Sequence, residues 1–428
     1  MLLFCQAMAA PLTNSIWMAC RTHSGPDYNF VGNCYSDLPS LGKTLAEEQQ
    51  AHMLIGAAES VLWPARRLAS RVAIVAHRSA NAWDPVCVGS CITADQTEHA
   101  MTYTSDQFGH YLALAIHGGV QIDFLDENAL LNTTIMAGYG VVFVTEPNLP
   151  KAGTSGLAAW VKAGGKLVLS GGAAMADEYN VPDDTLSLLT GCSMLPFPRR
   201  LLVAGATALP LATANGSIAS ASGAKRVSIY GDINGFTKLR AEGSKTLGHF
   251  DSGAASAVQS EVGAGSIVQL AWMPGFSYLP NTTQKHDVPN PVTDPESRIP
   301  NPVTQFPAAI REFLQGLVAD AAPSPVSLTD SFGAAVVGVE TVLMSSEAGA
   351  VVTVVNWGGV SLSTTLSLTL NLEAAGFDSG GSKLGKVLDA SSGNSSITPT
   401  LKDGTVTVPI AAVHANFIVF ARMGGSDS

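Results

Sequence analysis

The strongest pattern along the chain is a series of short apolar runs separated by helical stretches. Val72-Ala-Ile-Val-Ala76 contains no polar position, as expected of a strand covered on both faces. A helical stretch follows from about Ser105 to His117 and stops at Gly118-Gly119, a pair suited to a helix carboxyl cap. Val120 to Phe124 reads as a second strand and Gly140 to Thr145 as a third. A second helix, about Ser155 to Ala163, ends at Gly164-Gly165, and Lys166 to Ser170 is the fourth strand. Strands and helices alternating at this spacing predict a parallel sheet with right-handed crossovers.

Upstream, Thr44 to about Arg67 has helical spacing. Thr44 and Glu47 form a capping-box pair at its start, and Pro64 marks its end. Leu45, His52, Ile55, Ala58 and Val61 then share one side of it. Between about Leu201 and Tyr278 the pattern changes to short strands, Arg226 to Tyr230, Thr237 to Leu239 and Ser266 to Trp272, read as an antiparallel extension of the same domain. A loop rich in Pro and Asn, roughly 279–302, precedes a helix from about Gln305 to Val318. Ala321-Ala-Pro-Ser-Pro325 is a linker by composition, and beyond it the helical pattern disappears. Val336 to Leu343, Ala350 to Trp357, Ser361 to Leu370, Lys386 to Leu388, Thr405 to Val408 and Asn416 to Ala421 read as strands of a β-sandwich. The expected architecture is a flavodoxin-like α/β domain over 71–320, with a parallel sheet and an antiparallel extension. An all-β sandwich over 326–423 follows it, and 424–428 is a frayed tail.

Composition removes several function classes. Of 428 residues, 23 are Lys or Arg and 34 are Asp or Glu, a net charge of −11 that excludes a phosphate-tracking nucleic-acid binder. Charged residues are 13% and hydrophobic ones 46%, enough apolar material for sizeable cores. No run of ~18 apolar residues suggests a membrane span. Met1 to Ala10 lacks the basic region and the long apolar stretch of a secretion signal, so the chain is expected to start inside a fold. Six cysteines in so long a chain are not a disulfide scaffold, although one local disulfide could be accommodated. Cys87 and Cys91, with His77 and His99 nearby, lack the second ligand pair of a zinc site, so no metal is expected. Sequons begin at Asn132, Asn215, Asn281 and Asn394, a weak pointer in a chain rich in Ser and Thr.

Catalytic motifs are missing where such a fold would carry them. A nucleophile elbow, G-x-[SC]-x-G after a strand, is matched by no cysteine and no serine. A dinucleotide site needs glycines after the first strand, but the chain there reads His77-Arg-Ser-Ala-Asn-Ala-Trp83-Asp84. Asp123 occupies the ribose-acid position without those glycines, and Gly263-Ala-Gly265 precedes a strand instead of a helix. No cofactor is expected. Glu146 follows the third strand and is a candidate acid, with a cap or loop contact as the ordinary reading of such a residue. Paired carboxylates for glycoside hydrolysis would have to come from Asp27, Asp37, Glu47, Glu48 and Glu59, and Glu47 and Glu48 point apart on a helix.

Several segments occur here in the order found in one enzyme family. They are Gly25-Pro-Asp-Tyr-Asn-Phe30, Gly32-Asn-Cys-Tyr-Ser36, Gly56-Ala-Ala-Glu-Ser60, Arg71-Val-Ala-Ile-Val75 and Ser79-Ala-Asn-Ala-Trp83-Asp84. Gly119-Val-Gln-Ile-Asp-Phe124, Tyr139-Gly-Val-Val-Phe-Val144, Trp160-Val-Lys-Ala-Gly-Gly165 and Gly263-Ala-Gly-Ser-Ile267 continue the series. Together they resemble the post-catalytic half of the β-galactosidases built as barrel, flavodoxin-like (class I amidotransferase-like) trimerisation domain and β-sandwich. The resemblance implies that both catalytic glutamates belong to a (β/α)8 barrel, which takes ~250 residues. Only 71 residues precede Val72, so 1–70 is expected to be a remnant of the barrel end, and no catalytic glutamate is carried over. Trp17, His23, Asp27 and Tyr28 become candidates for a sugar-facing rim, or for packing of the barrel end. The implied role is non-catalytic: self-assembly as a homo-oligomer, a trimer in the resemblance, and contact with carbohydrate. Two other readings stay open. One is a self-contained amidotransferase-like hydrolase using Cys87 or Cys91. The other is a carbohydrate-binding or oligomerisation module, whose sandwich would offer exposed aromatics such as Trp357.

Overall fold

The protein is described by a computed structural model over residues 41–76, 78–83, 102–194, 214–220, 223–229, 236–239, 243–250, 253–279, 306–321, 324–357, 364–378 and 383–423. Helix α1 (Leu41–Leu62) and strand β1 (Arg66–Arg67) come first. They belong to one compact unit with the chain from Ser324 onward, while Ala69–Pro323 forms another.

In the Ala69–Pro323 unit the apolar runs become adjacent strands. These are β2 (Val72–Val75), β3 (Ile122–Leu125), β4 (Val141–Val144) and β5 (Lys166–Leu169). Helices α2 (Ser79–Trp83) and α3 (Thr102–Tyr111) connect β2 to β3, α4 (Thr133–Met136) leads to β4, and α5 (Lys151–Lys162) joins β4 to β5. After α6 (Thr185–Thr190) and β6 (Ser193–Met194) come β7 (Ala214–Ser220), β8 (Gly223–Ile229), β9 (Phe236–Lys238), β10 (Ser244–Phe250), β11 (Ala255–Val262) and β12 (Gly265–Leu270). Helices α7 (Pro274–Tyr278) and α8 (Ala308–Val318) complete the unit. The main sheet has the order β3-β2-β4-β5-β12-β11-β10-β7-β8. Its first five strands are mutually parallel and the pairs from β12 to β8 are antiparallel.

The period of two along each central strand feeds two separate cores. Val72, Ile74, Val141, Phe143, Val168 and Val268 point to the side covered by α3 and α8. Ala73, Val75, Val142, Val144, Leu167 and Ile267 point to the side covered by α5. This explains why the runs are unbroken in sequence: neither face of β2 or β4 meets water. Helix α3 continues into a π-helical turn, Leu112–Ile116, where the His117 N–H donates to the Leu112 carbonyl at 2.8 Å. Where α3 crosses α7, glycine meets glycine. A Cβ on Gly275 would lie 1.9 Å from the Asp106 carbonyl oxygen, and one on Gly109 1.9 Å from that of Gly275.

The other unit continues with β13 (Val326–Thr329), β14 (Val339–Ser346), β15 (Gly349–Asn356), β16 (Thr365–Asn371), β17 (Leu384–Asp389), β18 (Ser395–Ile397), β19 (Thr400–Lys402), β20 (Thr405–Ala411) and β21 (Ala415–Arg422). A six-stranded sheet, β1-β14-β15-β21-β17-β18, packs against a four-stranded one, β13-β16-β20-β19. Leu54, Ala58, Val61, Leu62 and Ala65 cover the outer side of the larger sheet, against Met344, Val351, Val355, Phe417 and Val419. A strand with a helix on one side and a second sheet on the other has no polar face, and β15 is buried throughout.

Several expectations need correcting. The strand at 266–272 is not part of the antiparallel extension; β12 lies parallel to β5 and antiparallel to β11, so it is the strand at which the sheet changes sense. On α1, His52 is exposed and Ile55 half-buried, because the buried stripe runs through Ala51, Leu54, Ala58, Val61 and Leu62. Thr44 lies inside the helix, which starts at Leu41. Trp357 is not an exposed aromatic. It is half-buried, and its indole N–H donates to Glu340 Oε2 at 3.0 Å.

The glycine crossing gives a paired test. Gly275→Ala should lower stability by about 1–3 kcal/mol, because its methyl group meets the α3 backbone at Asp106 and His110 and the His110 ring. Gly316→Ala, on the exposed side of α8 with nothing within 4 Å of the new Cβ, should raise it by about 0.5–1 kcal/mol through helix propensity. Urea-denaturation midpoints measure both, and equal effects would refute the packing argument.

Candidate functional site

In an open sheet of this type, polar groups collect outside the carboxyl ends of the strands, where the connections diverge to opposite faces. Here that divergence lies between β2, whose connection carries α3, and β4, whose connection carries α5. The residues following β2, β3, β4 and β5 therefore build the site.

Glu127 follows β3 and is nearly fully buried. Its Oε1 accepts from the backbone N–H groups of Arg78 (2.9 Å) and Ser79 (2.6 Å), and its Oε2 from the Ser79 hydroxyl (2.6 Å). Those three donors clamp the start of α2 and hold a negative charge at this corner of the sheet. Glu146 follows β4 and has no exposed surface. Its backbone carbonyl accepts from the Ala174 N–H at 2.8 Å, but neither carboxyl oxygen has a hydrogen-bond partner. It is thus neither a cap nor a loop contact. Burial, reinforced by the Glu127 charge, pushes its carboxyl well above the ordinary range, which favours the protonated form.

A second buried group lies under α3. Asp106 Oδ1 accepts from the Phe276 N–H at 2.9 Å, and its backbone carbonyl meets His110 Nδ1 at 2.8 Å. Burial raises the Asp106 carboxyl; the nearby His110, Ser170 and the N–H groups of Phe276 and Gly275 pull against that rise. Asp106 Oδ2 and His110 Nε2 have no hydrogen-bond partner, nor do Thr145 Oγ1, Ser170 Oγ or the indole nitrogen of Trp272. Ser170 follows β5, and no hydrogen bond joins its hydroxyl to His110, so the arrangement is not a nucleophile-and-base relay. At the far end of the π-turn, His117 Nδ1 meets the Tyr278 hydroxyl at 2.6 Å. Burial, then Arg311, lowers His117 to about 4, and burial raises Tyr278 to about 12 against the pull of Arg311.

Trp17, His23, Asp27 and Tyr28 lie outside the described residues, as do Cys87, Cys91, His77 and His99. Asp123 takes no ligand-facing position: its Oδ2 accepts from the Ser70 N–H at 3.3 Å and the Tyr139 hydroxyl at 3.2 Å. Gly263 and Gly265 let the β11–β12 hairpin approach the end of α5, since a Cβ on Gly265 would lie 2.2 Å from the carbonyl oxygens of Val161 and Gly165. Among the described residues no cluster of three His, Cys, Asp or Glu side chains could hold a metal, and no helix is long and apolar enough to cross a membrane. Cys192 is buried, its Sγ 3.6 Å from Ser260 Oγ and 3.7 Å from Ser244 Oγ.

No family model matches the chain, and no curated protein matches it. Solved structures do. The β-galactosidase from Bacillus circulans sp. alkalophilus is 13% identical with a TM-score of 0.55, over 93% of this chain and 48% of that one. A catalytic mutant of a GH42 β-galactosidase from G. stearothermophilus is 12% identical with a TM-score of 0.59, over 98% of this chain and 51% of that one. A cold-adapted β-galactosidase from Rahnella sp. R3 is 13% identical with a TM-score of 0.56, over 94% and 48%. At such identities the likeness is one of fold. The chain spans about half the length of these structures.

Two substitutions separate the buried groups by the sign of their pH dependence. The native Glu146 carboxyl stays protonated above pH 4.5, where the unfolded chain ionises, so stability falls as pH rises through that range. Glu146→Gln should therefore be neutral at pH 4 and stabilising at pH 7–8. His117 works in the opposite direction. Unfolded chains bind its proton below about 6.5 and the native state only below about 4, so it costs at most about 3 kcal/mol as pH falls across that window. His117→Gln should flatten the acid side of the stability profile, read by denaturation at stepped pH. A Glu146→Gln gain that persisted unchanged at pH 4 would contradict the burial argument.

Proposed function

We propose that the chain is the scaffold half of a β-galactosidase-like glycoside hydrolase, non-catalytic by itself and serving self-assembly and contact with carbohydrate. The observation that carries this reading is the coverage: the fold likeness takes in 93–98% of this chain and only about half of each β-galactosidase. The sheet supports it too. Numbered along the chain, the parallel strands lie in the order 2-1-3-4-5, the order of flavodoxin-like sheets. We take the α/β unit as such a domain, amidotransferase-like in layout and suited to trimerisation, and the ten-strand unit as the accompanying sandwich. In the β-galactosidase reading the reacting carboxylates belong to a barrel, with 1–70 a remnant of its end and Trp17, His23, Asp27 and Tyr28 at a sugar-facing rim.

The chemistry at the sheet's carboxyl edge agrees. Retaining and inverting hydrolysis both need two carboxylates facing a sugar across a gap. Glu127 spends both of its oxygens on Arg78 and Ser79, and Glu146 is sealed from solvent. Neither is placed to meet a glycosidic bond.

The purified chain should release no chromophore from an aryl β-galactoside and should run as three copies by light scattering. Turnover abolished by Glu146→Gln or Glu127→Gln would overturn the non-catalytic reading, and a monomer at micromolar concentration would overturn the assembly role.

A further inference from the structure

We infer that Trp83 and Tyr179 form a stacking platform for a pyranose ring at the carboxyl edge of the parallel sheet. The sugar class rests on the glycoside-hydrolase-like reading above; the platform rests on geometry. Trp83 is the last residue of α2, whose start is clamped by Glu127. Its indole N–H donates to the Glu178 carbonyl at 2.8 Å, which fixes the ring beside the residue preceding Tyr179. The indole is nevertheless 40% exposed and Tyr179 73%.

The loop that carries Tyr179 is rigidly folded. Asp177 Oδ1 accepts from the N–H groups of Tyr179 (2.9 Å) and Val181 (2.8 Å), and the Asp177 N–H donates to the Val181 carbonyl. Asn148 Nδ2 donates to the Asp177 carbonyl at 3.0 Å, and Glu178 Oε2 accepts from the Lys151 N–H at 2.7 Å, which ties the loop to the start of α5. The Trp83 ring is held by its hydrogen bond and Tyr179 is carried on a fixed backbone, so a ligand that stacks there pays little to order the platform.

Size and charge select the occupant. A stable protein interface takes about 20–30 residues a side, and among the described residues this patch offers two rings and the exposed Val181. The loop that carries Tyr179 and the turn after it bring Asp177, Glu178, Asp183 and Asp184, a local excess of carboxylates that disfavours phosphates, and so a nucleotide, on the same rings. A neutral ring whose C–H groups carry partial positive charge meets the electron-rich aromatic face, while its hydroxyls reach carboxylates at the edge. A pyranose has that chemistry.

The test is saturation-transfer NMR on the full chain with galactose and galactobiose, with Trp83→Ala, Tyr179→Ala and, as control, Trp63→Ala, an exposed tryptophan of the other unit. Binding in the millimolar range is expected, weakened at least tenfold by each of the first two changes and unaltered by the third. Trp83→Phe, which keeps a ring but loses the fixing hydrogen bond, should fall between them and guards against misfolding of the alanine variant. Absence of binding to either sugar at 50 mM, or binding indifferent to Trp83 and Tyr179, overturns the platform. Neither result bears on the mass and inactivity that test the assembly and non-catalytic parts of the scaffold reading.

Discussion

The α/β unit depends on one constraint: its central strands must be dry on both faces. Val72 and Ile74 serve one core and Ala73 and Val75 the other, so no position along β2 is left for a polar side chain. The same holds for β4. Polar chemistry is displaced to the strand ends, where backbone groups need partners and helices begin. Glu127 clamping α2, Glu146 after β4 and the acidic loop after β5 all occupy that edge. The fold thus decides where function can sit before any residue decides what the function is.

The buried carboxyls at that edge work against stability. A native domain holds by only ~5–15 kcal/mol, and an ionisable group without partners makes the unfolded state, where it can ionise, more competitive. Asp106 keeps part of its hydrogen bonding through Phe276; Glu146 keeps none through its carboxyl. Buried polar groups are normally satisfied, so Glu146 marks a place where packing has been allowed to override solvation. The clamp made by Glu127 aggravates this, because the charge that organises α2 is the charge that disfavours ionisation next to it.

What the sequence disclosed follows from the same constraint. Unbroken runs such as Val72-Ala-Ile-Val and Val141-Val-Phe-Val announce two-sided burial by themselves, and Gly164-Gly165 announces the end of α5. Direction is different: nothing in Gly265-Ser-Ile-Val-Gln-Leu270 states whether it runs with or against its neighbour, so its parallel pairing with β5 was hidden. β7 and β11 escaped because their Ala, Ser and Gly positions carry little periodicity. On α1 the helical spacing was visible but its phase was not, since alanines 51 and 58 are small enough for either side. Glu146 could be found as a strand-end acid but not as a sealed one, because its burial depends on segments distant in sequence, among them the 170–174 turn, whose Ala174 N–H meets its carbonyl. Trp83 appeared only as part of a family-like segment; its exposure depends on the Glu178 carbonyl, distant in sequence.

The path of the chain adds a last consequence. Arg67 pairs with Met344, so β1 joins a sheet whose other strands follow some 280 residues later. Closing so long a loop from an unfolded chain costs about 5 kcal/mol on the logarithmic law. The α/β unit shortens it. The Gly140 N–H donates to the Arg71 carbonyl at 2.7 Å, and a Cβ on the same glycine would lie 2.9 Å from that of Ala321. Both ends of the unit therefore meet at one glycine. Once that unit is folded, the effective loop between β1 and β14 shrinks to about 27 residues and its cost falls by about 2 kcal/mol. A domain inserted between α1–β1 and the strands they join consequently costs the sandwich less than its length suggests, because its own fold returns the chain to where it entered.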